Sequence, residues 1–110
     1  MQVILLPEVL EYLEDLAVLL YEKEYFSFEE TASNYVLELY DDVVINLPAK
    51  SKKPAPKYFT KQYGKDLYYA TFHKSKRTQW YVFFTTYQVD DEIYYQIRHI
   101  ENNHTAAQYL

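Results

Sequence analysis

This sequence contains no cysteine and only one glycine, and each scarcity excludes a class of site. Without cysteine the chain can form no disulfide and offers no thiolate to a metal. The single glycine rules out the glycine-rich loops that cradle phosphates in P-loop and dinucleotide-binding proteins. The zinc-protease pattern His-Glu-x-x-His and the hydrolase pattern Gly-x-Ser-x-Gly are also missing. No known catalytic spacing therefore identifies a reaction, and we expect neither a metal nor a cofactor.

Long apolar runs are missing as well. The longest, Leu16–Tyr21, is far shorter than the roughly 20 residues that a membrane-spanning helix needs. The first residues, MQVILLPE, lack the positive charge and the cleavage site of a secretory signal. We therefore expect a single domain over residues 1–110, located in the cytoplasm and without a membrane partner.

Hydrophobic periodicity before Gly64 predicts a strand and two helices. Val3–Leu6 is apolar throughout, which predicts a short strand buried on both faces. Residues 8–23 and 28–46 repeat apolar side chains at three- and four-residue steps, as amphipathic helices do. The short connection between them predicts an antiparallel hairpin. A capping box, with Ser27 and Glu30 as its partners, is expected to start the second helix.

After Gly64 the periodicity changes to two. Residues 67–73, 78–87 and 93–100 are rich in aromatic and β-branched side chains, and short polar turns join them, which predicts an antiparallel meander. The two prolines in residues 49–56 predict an exposed loop there. Together these elements predict an α+β fold (β-α-α-β-β-β), in which the helical hairpin packs on one face of a mainly antiparallel sheet.

Charge is divided along the chain. Residues 50–77 hold nine basic residues and one acidic, which gives +8, whereas residues 1–49 carry −10 and residues 78–110 carry −3. A local positive field of this kind suits a polyanion such as RNA, although a solvated lysine loop gives the same pattern. In the last predicted strand, alternation with Ile97 places Arg98 on the polar face, either as a surface ion pair or as a fork for an anion.

Three stretches resemble RelE/ParE/HigB-type toxins of bacterial toxin–antitoxin systems. The first is Tyr58-Phe59-x-Lys61-x-x-Gly64-x-x-Leu67-Tyr68, which resembles the stretch leading into that family's second strand. The others are Trp80-Tyr81-Val82-Phe83-Phe84 and Ile97-Arg98-His99-Ile100-Glu101-Asn102-Asn103-His104, which resemble its third and fourth strands. The predicted order of elements is also similar. The resemblance implies a toxin held by a cognate antitoxin protein, which either cleaves mRNA on the ribosome or poisons DNA gyrase.

For an RNA-cleaving member, the resemblance implies roles for particular residues. Cleavage by the adjacent 2′-hydroxyl needs a base, an acid and cations that stabilise the dianionic phosphorane, but no metal. The expected acid is His104, the charge stabilisers are Arg98 and Arg77, and the base is Lys57 or Lys61. Tyr109 is expected to stack on a base. The expected RNA-binding residues are Lys50, Lys52, Lys53, Lys65, Lys74, Lys76, Trp80 and Tyr81.

Three interpretations stay open at this point. One is a metal-independent, ribosome-associated mRNA endoribonuclease, which the basic segment, Arg98 and His104 favour. A second is a gyrase-binding toxin without catalysis, and a third is an inactive nucleic-acid-binding or scaffold domain. The last two are favoured by Thr71 and Tyr81, which stand where ribonucleolytic relatives usually carry arginines, and by the acidic net charge of −5.

Overall fold

The computed structural model describes residues 1–75, 77–106 and 109–110 of the chain. Its helices are α1 (Pro7–Glu22), α2 (Glu29–Asn46), α3 (Lys57–Tyr63) and α4 (Asn103–Ala106). Its strands are β1 (Gln2–Leu5), β2 (Lys53–Pro54), β3 (Tyr68–His73), β4 (Gln79–Val89) and β5 (Glu92–Asn102). No helix in these residues has the length and apolarity needed to span a membrane.

The five strands form one sheet in the order β1-β5-β4-β3-β2. The pairs from β2 to β5 are antiparallel, and β1 lies parallel to β5 at the edge. The helical hairpin of α1 and α2 covers one face, which we call the hairpin face. The α+β prediction of a two-helix hairpin on a mainly antiparallel sheet is thus confirmed.

The main core lies between the hairpin and the sheet. Leu13, Leu39 and Val43 of the helices pack with side chains of the central strands, including Val82 and Ile97. Four of these five side chains are completely buried: Leu39, Val43, Val82 and Ile97. The apolar periodicity that predicted the helices and strands is therefore the pattern of burial in this core.

A second, smaller core lies on the opposite face of the sheet, which we call the α3 face. Phe59 of α3 stacks on Phe83 of β4 with ring centroids 4.3 Å apart, and both side chains are fully buried. Leu67 completes the buried cluster, and Tyr63 and Tyr69 pack at its margin. The sheet is consequently covered on both faces, although α3 covers only part of its side.

Several local predictions were wrong. Strand β1 is not buried on both faces: Ile4 is 38% exposed, because β1 is an edge strand whose second face has no covering layer. Ser27 does not cap α2, which begins at Glu29 after Phe28 and has no side-chain cap. Residues 49–56 are not only a loop, since they contain the end of a 3-10 turn and the short strand β2. No helix was predicted where α3 lies.

Candidate functional site

Strand β5 contains a bulge at Arg98. Phe83 and Phe84 are adjacent on β4, yet they pair with His99 and Ile97, so Arg98 has no partner of its own across the ladder. An extra residue in one strand interrupts the alternation of side chains between the two faces. The bulge therefore changes where the residues after Arg98 point.

The bulge places Arg98 and His99 on the same face. Ile97 and Ile100 both belong to the core under the helical hairpin. The two residues between them are directed away from that core, towards α3: Arg98 lies near Gly64 at the end of α3, and His99 stacks on Tyr63. Strict alternation from Ile97 would instead have turned His99 towards the hairpin.

His99 is held by aromatic rings and by a carboxylate. Its ring stacks on Tyr63 with centroids 4.5 Å apart and an interplanar angle of 13°, and it lies 5.7 Å from the ring of Phe83. Nε2 of His99 lies 2.6 Å from Oε1 of Glu101. The two side chains remain partly accessible, at 24% and 22% exposure, so a substrate can reach them. A carboxylate in contact with an imidazole is a pair suited to proton transfer.

Arg98 stands beside this pair with an unused donor. Its Nε is buried and has no hydrogen-bond partner among the described residues. Gly64 is a neighbour of this side chain, since a Cβ at that position would be in ordinary van der Waals contact, at 3.8 Å, with a terminal nitrogen of the guanidinium. Gly64 also has φ of +106°, a conformation that side chains with a Cβ rarely adopt. A buried donor without a partner is costly, and a guanidinium is a side chain that binds anions through several donors.

The negative charge of Glu101 affects several phenols. Burial, with a further contribution from Glu101, raises the pKa of Tyr12 to about 12. The pKa of Tyr63 is also raised, by burial first and then by Glu101 and Tyr58. For Tyr109 the hydrogen bond with Tyr58 is the main cause of a raised pKa, and Glu101 is the smallest contributor. All three phenols therefore stay protonated at neutral pH, as donors rather than bases.

A polar cleft adjoins this group on the α3 face. Its volume is about 400 Å³, and it lies between the basic loop and the ends of β3 and β4. Lys53, Thr71, His73 and Gln79 are among its lining residues. His73 pairs with Gln79 at the far end of β3, whereas Tyr69 pairs with Phe83, the partner of His99. The cleft thus lies further along the strands on the same face of the sheet.

The basic segment divides into two groups of lysines. Nζ of Lys50 lies 4.6 Å from the ring centroid of Phe72, and Nζ of Lys52 lies 5.4 Å from that of Tyr95. Nζ of Lys74 lies over Tyr35 and forms a 3.3 Å ion pair with Glu38. These three lysines pack against the margin of the main core.

The second group remains available to a ligand. Its members are exposed and have no ion pair with a described residue: Lys53, Lys57, Lys61 and Lys65. Two of them are on α3 itself.

Trp80 and His104, which the sequence assigned to the site, both lie away from the α3 face. Trp80 is 2% exposed and donates from Nε1 to the hydroxyl of Tyr35 at 3.0 Å, so its ring cannot stack on an RNA base in this structure. His104 borders a depression at the end of the helical hairpin, together with Tyr35. The structure therefore does not bring His104 together with Arg98.

The remaining predicted residues have mixed positions. Arg77 is exposed, and its carbonyl accepts from Asn103 next to His104, away from Arg98. Tyr109 stacks on Tyr58 of α3, with centroids 3.7 Å apart. Tyr81 is half-buried on the α3 face beside Tyr69. Lys76 lies outside the described residues.

Sequence reasoning missed His99, Glu101 and Tyr63 as members of the site. The signal for His99 was weak, because only the bulge makes it share a face with Arg98. The stretch Arg98-His99-x-Glu101 does combine a guanidinium, an imidazole and a carboxylate within four residues. Its predicted position on a strand, however, would have divided these groups between the two faces.

No protein-family model matches this chain, and comparisons with curated proteins and with solved structures give no significant match. Within the described residues, no cluster of three or more His, Asp or Glu side chains could hold a metal ion.

Proposed function

We propose that this protein is the toxin of a type II toxin–antitoxin system and that it cleaves mRNA on the ribosome without a metal ion. The observation that carries the proposal is the group formed by Arg98, His99 and Glu101 on the α3 face. The exposed lysines and the polar cleft beside this group would hold the phosphates of a single strand. The resemblance to RelE/ParE/HigB-type toxins supports the cellular role, with a cognate antitoxin as the neutralising partner.

The three side chains supply what transesterification needs. Glu101 takes the proton from the 2′-hydroxyl, and the 2′-oxygen attacks phosphorus. The guanidinium of Arg98 neutralises charge that develops on the phosphorane oxygens. The bond from phosphorus to the 5′-oxygen then breaks, and this oxygen takes a proton from Nδ1 of the protonated imidazole of His99, whose Nε2 faces Glu101. The products are a 2′,3′-cyclic phosphate and a free 5′-hydroxyl, so atoms and protons balance.

This mechanism replaces two of the roles predicted from the sequence. His99 replaces His104 as the acid, because His104 lies at the end of the hairpin. Glu101 replaces Lys57 or Lys61 as the base, because Glu101 contacts the imidazole of His99, whereas these lysines are exposed on α3. Tyr63 stacks on the imidazole of His99 and acts as a positioning residue.

The test is cleavage of mRNA by purified protein on translating ribosomes in the presence of EDTA. We expect cuts that survive the chelator and leave 2′,3′-cyclic phosphate ends, and we expect growth arrest when the chain is expressed without its antitoxin. Arrest without cleavage, accompanied by inhibition of DNA gyrase, would establish the alternative gyrase-type toxin. Neither arrest nor cleavage would contradict both.

We expect the two groups of lysines to differ in their contribution to RNA binding. Replacing Lys53, Lys57, Lys61 and Lys65 by alanine should weaken binding and flatten its dependence on salt. Each lysine that contacts a phosphate contributes about 0.7 to the slope of log K against log salt for a single strand. The measurement is a titration of the protein with single-stranded RNA at several salt concentrations.

Lys52→Ala is the matched control for Lys53→Ala. It should leave the salt slope unchanged but lower the free energy of unfolding by about 0.5–1 kcal/mol, because it removes the contact with Tyr95. Lys53→Ala should show the reverse pattern. An unchanged slope in the fourfold variant would mean that these lysines form only a solvated surface.

A further inference from the structure

A second pocket lies on the hairpin face, far from Arg98. It is a depression of about 580 Å³ at the end where α1 connects to α2, and we call it the hairpin-end pocket. The lining residues used here are Leu19, Lys23, Phe26, Tyr35, Trp80 and His104. A volume of this size is within the range of small-molecule sites.

The walls of the pocket are apolar and aromatic. Phe26 and Tyr35 pack together with ring centroids 5.4 Å apart. Tyr35 accepts a hydrogen bond from Trp80, which fixes the position of both rings. Leu19 lines the pocket and is 45% exposed. A planar, apolar ligand would cover side chains that are otherwise exposed to water.

The hairpin-end pocket is bordered by basic side chains, although the helices that form it belong to the acidic part of the sequence. Residues 1–49 contain eleven acidic residues and one basic residue, Lys23, and this lysine lines the pocket. His104 adds an imidazole, whereas Lys74, which lies over the ring of Tyr35, is paired with Glu38. Among the described residues, no aspartate or glutamate lines the pocket. The basic side chains around an aromatic depression therefore favour an anion over a cation.

From these observations we infer that the hairpin-end pocket binds a small aromatic monoanion. The ring system would lie against Leu19, Phe26 and Tyr35, and the carboxylate or sulfonate would face Lys23 and His104. This inference does not depend on the proposed cleavage of RNA, because the site is on the other face of the sheet and its readout is binding alone.

The test compares two probes that share one ring system, anilinonaphthalene sulfonate and its uncharged parent, phenylnaphthylamine. Trp80 is the only tryptophan, so energy transfer from it to the probe reports binding to the protein, and the variants then locate the site. Lys23→Gln and His104→Gln should each weaken the sulfonate about threefold to fivefold, the range of an exposed ion pair. Binding of the uncharged parent should change less than twofold.

A matched pair of leucines distinguishes this pocket from the apolar groove between α1 and α2. Leu19 lines the hairpin-end pocket and is 45% exposed, whereas Leu10 lines the groove and is 42% exposed. Leu19→Asp should weaken the sulfonate about tenfold through repulsion and lost apolar contact, and Leu10→Asp should not. Three results would each overturn the inference. The sulfonate could lose affinity only in Leu10→Asp, it could bind Lys23→Gln as tightly as the wild type, or no energy transfer from Trp80 could be detected.

Discussion

His99→Gln is expected to lower the rate of RNA cleavage by about 10²–10⁴-fold, the usual contribution of a positioned general acid. Glutamine keeps the approximate size of the side chain and a hydrogen-bonding group, but it cannot deliver a proton to the leaving oxygen. The measurement is single-turnover cleavage of mRNA on ribosomes, with a thermal melt of each variant. Glu101→Gln should reduce the rate by a similar factor, because it removes the base.

The dependence on pH separates the two roles. Cleavage needs an ionised carboxylate and a protonated imidazole, so the rate of the wild type should rise and then fall with pH. The Glu101→Gln variant should lose the rise on the acid side. The His99→Gln variant should lose the fall on the alkaline side. A merely structural pair would lower the rate without changing the shape of either limb.

His104→Gln is the matched control for His99→Gln. It makes the same substitution at the histidine that the sequence favoured, which lies at the hairpin-end pocket. We expect cleavage within a factor of two of wild type. Full activity of folded His99→Gln would contradict the assignment of His99 as the general acid. Loss of activity in folded His104→Gln would instead favour His104, the residue predicted from the sequence.

The candidate site on the α3 face differs from the site predicted from the sequence, and the difference has a geometric cause. Alternation correctly placed Arg98 away from the hairpin, because it depends only on the neighbouring buried Ile97. The same rule fails one residue later, because the bulge inserts a residue into β5. A bulge depends on the register between two strands, here β4 and β5, and no local pattern in residues 97–101 specifies it.

The long helices and strands could be predicted because their signal is local and repeated. Each long element repeats its own burial signal several times, so one irregular residue does not hide the pattern. Helix α3 has only seven residues, and two prolines precede it. A helix this short is marginal in isolation and exists because Phe59 is buried against the sheet. That contact joins residues far apart in the chain, which periodicity cannot detect.

The lysines show a similar limit. The sequence shows that residues 50–77 are basic, but composition cannot distinguish a lysine that faces solvent from one that lies over an aromatic ring. Lys52 and Lys53 are adjacent in the sequence, yet Lys52 approaches Tyr95 while Lys53 lines the polar cleft. The path of the chain around the edge of β3 separates them.

Phe59→Ala is expected to lower the free energy of unfolding by about 3–5 kcal/mol. Phe59 is fully buried, stacks on Phe83 and is the only completely buried residue of α3. Its loss would leave a cavity over the sheet and remove the main anchor of a seven-residue helix. Since small domains are stable by about 5–15 kcal/mol, the change is a large fraction of the total. Urea unfolding followed by circular dichroism measures it.

Tyr58→Ala is the control within the same helix. Tyr58 is 44% exposed, and its stacking on Tyr109 should contribute about 1 kcal/mol or less. The second core is part of the cooperative unit only if Phe59→Ala is much the more destabilising of the two. Similar small losses in both variants would mean that α3 opens without unfolding the sheet. Because Tyr63 of α3 stacks on His99, such opening would also release the imidazole, and the site would then be assembled only when RNA holds α3 in place.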